Sequence, residues 1–202
     1  MKHPASFLSL LFAVVLLFAS CGHKPKEAAT EAPADSLAAA ALPDMSKYMP
    51  QVEVGTAAYA FELPDSAGIL HSLADYAGQW VVVDFWASWC GDCRAEIPAV
   101  KDLYARWQPQ GVAFVGISFD QKTEQWTTCL KQNDFPWLQL CNFVPWRDKQ
   151  ADGTEIVHPA AEGYGLHWIP TLFLISPEGK VAAYALIAAE LDPLLTANVS
   201  KK

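Results

Sequence analysis

The sequence contains little positive charge and no run of basic residues. Its 14 Lys and Arg residues are outnumbered by 22 Asp and Glu residues, which gives a formal net charge of −8 at pH 7. Because such a surface repels phosphate backbones, we expect no binding to nucleic acid. A glycine-rich loop able to cradle phosphate groups is also absent from the sequence.

Cysteine is scarce as well, and only one pair has close spacing. The five cysteines are Cys21, Cys90, Cys93, Cys129 and Cys141, of which Cys90 and Cys93 form the single C-x-x-C motif. A small disulfide-stapled protein would be shorter and more evenly cross-linked. A zinc site would need two further ligands at metal spacing, and the sequence has no second C-x-x-C to supply them.

The sequence also lacks an apolar run long enough to span a membrane, which takes about 20 residues. The stretch 7–19 is shorter and predicts the core of a secretory signal peptide over residues 1–20. It ends in Phe18-Ala19-Ser20-Cys21, which resembles a bacterial lipobox, although Phe18 replaces the usual aliphatic residue. The resemblance implies lipidation of Cys21; cleavage and secretion without a lipid is the alternative.

A change of composition after Cys21 divides the remaining chain. Residues 21–50 are rich in Ala, Pro, Lys and Glu and predict a flexible tether, because they cannot bury a core. Residues 51–202 predict one α/β domain. Its first segments, 52–63 and 69–73, predict two short strands around a turn.

The middle of this domain predicts a strand–helix–strand unit. The apolar runs 80–86 and 112–119 are typical of buried parallel strands, and 90–108 has helical periodicity. A helix over 123–132 and a strand over 137–141 should follow, then an irregular segment over 142–159. A hairpin formed by 171–176 and 180–186 and a final helix from Leu191, with Pro193 in its first turn, complete the prediction.

The position of the C-x-x-C motif indicates redox chemistry. Cys90 follows a predicted buried strand at the start of a helix, where free N–H groups and the helix dipole favour a thiolate. Cys93 lies one helical turn further, within reach for a disulfide, and can resolve a mixed disulfide. A zinc site recruiting His158 or His167 and a purely structural disulfide are the alternatives.

Two segments resemble a known family. Residues 83–98, VDFWASWCGDCRAEIP, resemble the active-site block of thioredoxins, most of all the membrane-anchored, extracytoplasmic TlpA/ResA-like branch. Residues 168–171, WIPT, resemble the second signature of that family, which carries a cis-proline facing the disulfide. The resemblance implies a thioredoxin fold: a central mixed sheet flanked by helices, with an N-terminal β extension and an insert over 121–141.

The resemblance also implies roles for individual residues. Cys90 would be the attacking thiol, Cys93 the resolving thiol and Pro170 the cis-proline, with the backbone of Ile169 binding a substrate strand. Asp84 matches the buried acid of thioredoxins; burial should raise its pKa and suit it to proton exchange with Cys93, unless it caps a neighbouring segment. Glu96 matches a glutamate near the redox pair, or else is a solvated or capping residue.

Other residues leave alternatives open. We expect Trp89, Trp86 and Trp168 to shape an apolar lip around the pair. Cys129 and Cys141 form either a second disulfide or two small buried thiols. His71, His158 and His167 are more typical of satisfied loop histidines than of ligands or bases.

One residue departs from the family pattern. Asp92 stands between the cysteines where most members have Pro. Its negative charge should oppose a thiolate on Cys90, which predicts a higher pKa for the Cys90 thiol than with Pro and a more reducing couple.

These observations predict an enzyme, a thiol-disulfide oxidoreductase without cofactor or metal. By resemblance it is a bacterial periplasmic lipoprotein that reduces disulfides of client proteins, such as apocytochromes with C-x-x-C-H sites, and draws on a membrane electron donor. The alternatives are a peroxiredoxin-like peroxidase and a thioredoxin-fold binding or chaperone lipoprotein. Residues 84–90 do not match the Pro-x-x-x-Thr-x-x-Cys pattern of peroxidatic cysteines.

Overall fold

The computed structural model describes residues 44–199. The predicted signal peptide, Cys21 and most of the predicted tether lie outside the described residues. Within residues 44–199, no helix is both long and apolar enough to cross a membrane.

Residues 44–199 contain nine strands, four α-helices and three short 3-10 turns. The strands are β1 (Glu62–Pro64), β2 (Leu70–Ser72), β3 (Trp80–Trp86), β4 (Val112–Ser118), β5 (Leu138–Leu140), β6 (Arg147–Lys149), β7 (Glu155–Val157), β8 (Thr171–Ile175) and β9 (Val181–Ala185). The α-helices are α1 (Gly91–Trp107), α2 (Thr123–Asn133), α3 (Pro159–Gly163) and α4 (Ala188–Val199). Single 3-10 turns occupy Ser46–Tyr48, Leu73–Tyr76 and Gln108–Gln110.

The central sheet has five strands in the order β5-β4-β3-β8-β9. β3, β4 and β5 are parallel, whereas β8 pairs antiparallel with both β3 and β9. β1 and β2 form a separate hairpin that precedes the sheet. The predicted mixed α/β architecture with an N-terminal β extension is therefore confirmed, and six of the predicted strands have the expected bounds to within one residue at each end. The strand predicted over 52–63 is wrong for most of its length, because only Glu62–Pro64 pairs with β2.

The sheet is buried on both faces, which explains the continuous apolar runs of β3 and β4. On one face, Val82 and Leu172 pack with apolar residues of α1 and α4, including Val100 and Leu195. The opposite face packs against Tyr164 and other residues from the α2 and α3 side. The active end of the molecule lies where β3 and β4 end, because α1 and α2 both start beyond that edge.

Two further sequence expectations were wrong in detail. Helix α4 begins at Ala188 rather than Leu191, so Pro193 lies inside the helix and not in its first turn. The start is earlier because the carboxylate of Glu96 accepts a hydrogen bond from the free N–H of Ala188 at 2.7 Å. The segment 142–159, expected to be irregular, contains the hairpin of β6 and β7. β6 is exposed and β7 is half-buried, and neither three-residue strand shows an apolar alternation that would reveal it.

Candidate active site

Cys90 and Cys93 lie together at the start of α1 and form a disulfide with a Cα–Cα distance of 5.3 Å. Cys90 is the N-cap residue, and its sulfur accepts a hydrogen bond from the N–H of Cys93 at 3.1 Å. Cys90 is 9% exposed and Cys93 only 3%. The helix start therefore favours negative charge on the more accessible sulfur, which is the arrangement needed for an attacking Cys90 and a resolving Cys93.

The second motif lies directly beside the first. The Ile169–Pro170 peptide bond is cis, as the sequence resemblance implied. The carbonyl oxygen of Ile169 is 3.7 Å from the Cys90 sulfur. Thr171 fixes this turn by donating its hydroxyl to the carbonyl of Trp168 at 2.7 Å. The two motifs, far apart in sequence, thus form one site.

The three tryptophans near the pair differ in role. Trp89 directly precedes Cys90 and is 52% exposed, and Trp168 is half-buried against Tyr48. Trp86 does not contribute to an exposed lip, contrary to expectation. It is buried, and its indole N–H donates to the side-chain oxygen of Gln139 at 2.8 Å. Trp86 is the last residue of β3, and its side chain is buried at this end of the strand rather than exposed around the redox pair.

Asp84 lies in β3 and is buried, as predicted. Burial, with a smaller contribution from the negative charge of Glu96, raises the pKa of Asp84 to about 7. A carboxyl with such a pKa can take up and release a proton near neutral pH. No hydrogen bond contributes to this shift, so the capping role considered for Asp84 has no support among the described residues.

Glu96 lies on α1, three residues after Cys93, and is half-buried. Its carboxylate caps α4 through the N–H of Ala188, and its charge also acts on Asp84. The structure therefore combines two of the roles considered for it: a capping residue that is also an electrostatic neighbour of the buried acid.

Sequence reasoning missed Asp120, which holds the loop before Cys90. Asp120 is fully buried and follows β4. Its carboxylate accepts hydrogen bonds from the N–H of Ser88 at 2.9 Å, from the Ser88 hydroxyl, and from the Ser118 hydroxyl at 2.6 Å. The available signal was its place just beyond a parallel strand, on the sheet edge that also carries Cys90.

An open groove of about 600 Å³ runs beside the redox pair, between the start of α1 and helix α2. Its walls include Trp89, Arg94, Lys122, Cys129 and Gln132. Two of the lining side chains, Arg94 and Lys122, are cationic and one, Glu124, is anionic.

Cys129 and Cys141 are both buried free thiols in the described structure, so the second of the two alternatives holds for them. Burial raises the pKa of both thiols, that of Cys141 to about 11. Neither is therefore ionised near neutral pH, which makes both poor nucleophiles.

His158 is a satisfied loop histidine. Its Nε2 lies 2.8 Å from the side-chain oxygen of Asn142, and its Nδ1 accepts from the N–H of Ala160 at 3.1 Å. Burial lowers the pKa of His158 to about 4, so the ring is neutral. Across residues 44–199, no group of three or more His, Cys, Asp or Glu side chains is placed to hold a metal ion.

Comparison with known proteins agrees with this geometry. The sequence model of the AhpC/TSA family matches residues 54–184. Thiol-disulfide oxidoreductase ResA of Geobacillus kaustophilus is 39% identical over 130 residues, which cover 64% of this chain and 67% of that protein. ResA of Bacillus thuringiensis is 31% identical over 131 residues, which cover 65% of this chain and 68% of that protein.

The solved structures that resemble this chain are also thiol-disulfide oxidoreductases or interchange proteins. The thioredoxin domain of a thiol-disulfide oxidoreductase from Bacteroides vulgatus matches with a TM-score of 0.62 and 29% identity, covering 73% of this chain and 99% of that one. A thiol:disulfide interchange protein from a Bacteroides species matches with a TM-score of 0.61 and 29% identity, covering 74% of this chain and 91% of that one. The fold is thus the thioredoxin fold, and the protein is an enzyme that exchanges dithiols and disulfides through Cys90 and Cys93. By family model, relatives and structure together, the chain belongs to the ResA-like thiol-disulfide oxidoreductases of the AhpC/TSA family.

Proposed function

We propose that this protein reduces disulfides of client proteins outside the cytoplasm, while anchored to a bacterial membrane through a lipid on Cys21. The observation that carries the proposal is the position of the Cys90 sulfur, which caps α1 and accepts the Cys93 N–H. That position supports nucleophilic attack by a Cys90 thiolate.

In the proposed reaction, the Cys90 thiolate attacks one sulfur of the client disulfide. A Cys90–client disulfide forms, and the other client sulfur leaves as a thiolate and takes a proton from water. Asp84 then accepts the proton of Cys93, whose thiolate attacks the Cys90 sulfur. This attack breaks the Cys90–client bond, and the second client sulfur leaves as a thiolate that takes up the proton released by Asp84. The client is then a dithiol and the enzyme holds the Cys90–Cys93 disulfide. A membrane electron donor returns two electrons and two protons to this pair.

The reducing direction is supported by Asp92. This exposed carboxylate lies in the first turn of α1, between the two cysteines. Its charge opposes the Cys90 thiolate and so disfavours the reduced enzyme relative to the disulfide. Ile169 and Pro170 would guide the client backbone, with Trp89 at the rim. Apocytochromes with C-x-x-C-H sites are the clients that the family resemblance favours.

Insulin reduction by dithiothreitol tests the catalytic part of the proposal. We expect wild type to accelerate it, Cys90→Ser to be inactive, and Cys93→Ser to accumulate a client disulfide on Cys90. Cys129→Ser is the matched control, because it removes a buried thiol that does not belong to the pair. Equal background rates for wild type and Cys90→Ser would refute catalysis by the pair. Consumption of peroxide without reduction of insulin would favour a peroxidase.

The anchoring part has its own test. Cells fed a labelled fatty acid should incorporate the label into wild type and not into Cys21→Ser, and the variant should leave the membrane fraction. Label that persists in Cys21→Ser, or wild type found free of the membrane, would contradict lipid attachment at Cys21.

A further inference from the structure

Asp84, the buried acid of β3, is linked to β5 by residues that are in register across the central sheet. Asp84 of β3 pairs with Gly116 of β4, which pairs with Gln139 of β5. Side chains in register on neighbouring strands point to the same face. A Cβ at Gly116 would lie 2.2 Å from the side-chain oxygen of Gln139 and 2.6 Å from its nitrogen. The Gln139 amide therefore fills the space above Gly116, about one strand spacing from Asp84.

The orientation of this amide is fixed by Trp86. An indole nitrogen can only donate, so the amide atom 2.8 Å from it must be the oxygen. Trp86 lies two residues beyond Asp84 on β3 and therefore on the same face. The amide nitrogen, Nε2, is buried and has no hydrogen-bond partner among residues 44–199. A buried donor without a partner is costly and points to an acceptor that it serves in another state of the site.

Asp84 is the acceptor that fits the unpartnered Nε2 of Gln139. Of the elements around it, α1 contributes the negative charge of Glu96. The paired residues on β4 and β8 are Gly116 and Leu172, which carry no charge, and the Glu190 carboxylate of α4 binds the N–H of Leu186. An ionised Asp84 thus faces a like charge and needs a donor. Among the residues in register with Asp84 across the central sheet, only Gln139 carries a side-chain hydrogen-bond donor.

We propose that Gln139 is a positioning residue that donates its Nε2–H to the Asp84 carboxylate once that group is ionised. This hydrogen bond stabilises the form of Asp84 that accepts the Cys93 proton, and so lowers the pH at which the mixed disulfide is resolved. The inference rests on the proposed function for that proton transfer. Gly116 is part of the arrangement, because any side chain there would displace the amide.

The titration of Asp84 in the oxidised full chain tests this directly. Cys93 does not titrate in the disulfide, which leaves Asp84 coupled mainly to Glu96. Following the Asp84 carboxyl carbon by NMR, we expect Gln139→Met to raise its midpoint by about one pH unit or more. Gln139→Asn keeps an amide but is one methylene too short to cross Gly116, so it should raise the midpoint as well. Gln110→Met is the matched control, since Gln110 is an exposed glutamine in the 3-10 turn after α1 and its loss should not raise the midpoint.

An Asp84 midpoint unchanged in both folded Gln139 variants would overturn the inference. So would an equal rise in Gln110→Met, because that would mark an effect that is not specific to Gln139. The pH profile of insulin reduction provides the second measurement and should move to higher pH in Gln139→Met. Wild type that does not reduce insulin, with the Asp84 midpoint still raised in the variants, would refute the proposed function and leave the hydrogen bond intact. Active enzyme with an unmoved midpoint would refute only the role of Gln139.

Discussion

The Cys90 sulfur lies 3.7 Å from the carbonyl oxygen of Ile169. On its other side it accepts the N–H of Cys93 at 3.1 Å. A Cys90 thiolate would therefore be stabilised by one backbone donor and opposed by one carbonyl dipole, with the Asp92 charge nearby in the first helical turn. The surroundings of the nucleophile favour a thiolate less than a helix start alone would.

Asp92 provides the first prediction. Replacing it by Asn or Pro removes a negative charge beside Cys90, so alkylation of the reduced enzyme by iodoacetamide should reach half-maximal rate at a pH about half a unit lower. Asp102, an exposed carboxylate later on α1, is the control, and Asp102→Asn should leave the profile unchanged. A midpoint in Asp92→Pro that is equal to or above that of wild type would refute the assigned role of Asp92.

Asp84 makes the stability of the oxidised protein depend on pH. Its pKa is about 7 when folded and 3.8 in the reference state, so between these values the folded protein binds the extra proton. Stability should therefore fall as pH rises from about 4 to about 7 and stay level above that range. Asp84→Asn removes the cost of the buried charge, on the order of 4 kcal/mol for a difference of about three pKa units.

Denaturant unfolding of the oxidised wild type and Asp84→Asn at several pH values measures this. The variant should be the more stable protein at pH 8, and the difference should disappear near pH 4. If the gap between the two proteins does not change with pH, Asp84 is not a buried acid that titrates near neutral pH.

Glu96 should affect Asp84 and α4 separately. Glu96→Gln keeps an oxygen that can accept from Ala188 but removes the charge, so the pKa of Asp84 should fall while stability changes little. Glu96→Ala also loses the cap of α4 and should cost about 1 kcal/mol. The Asp84 carboxyl titration and unfolding of both variants check this. The same stability loss in both would indicate that charge, and not the cap, holds the start of α4.

Ser88 and Ser118 bind the same Asp120 carboxylate, but only Ser88 belongs to the loop before Cys90. Ser88→Ala and Ser118→Ala should each lower stability by about 1–2 kcal/mol, since each removes a hydrogen bond to the buried side chain of Asp120. Only Ser88→Ala should also slow insulin reduction, because it loosens the Ser88–Trp89–Cys90 segment. Equal slowing in both variants would show that Asp120 acts on the fold alone.

Much of this arrangement could be predicted from sequence because the relevant patterns are local. The Val-rich run of β3 and the helical periodicity of α1 placed Cys90 at a strand-to-helix junction. The cis bond before Pro170 could be predicted only because the WIPT segment resembles a family signature, since no physical argument from the sequence implies it. Burial of an Asp within an apolar run was enough to predict the direction of the Asp84 pKa shift.

What could not be predicted depends on contacts between distant segments. Nothing near Asp120 in the chain indicates that it binds Ser88, 32 residues earlier. The start of α4 depends on a carboxylate 92 residues away, which is why Pro193 was placed one turn too early. Gln139 gained significance only from the sheet register that places it beside Gly116.

The reduction potential of the Cys90–Cys93 couple tests the central claim most directly. It is measured by equilibrating the full chain in dithiothreitol or glutathione buffers of known ratio and counting free thiols, with Cys90→Ser as the blank. A reductase of client disulfides should have a potential near that of thioredoxin, about −270 mV. A potential near that of a strong oxidant, about −120 mV, would contradict the account.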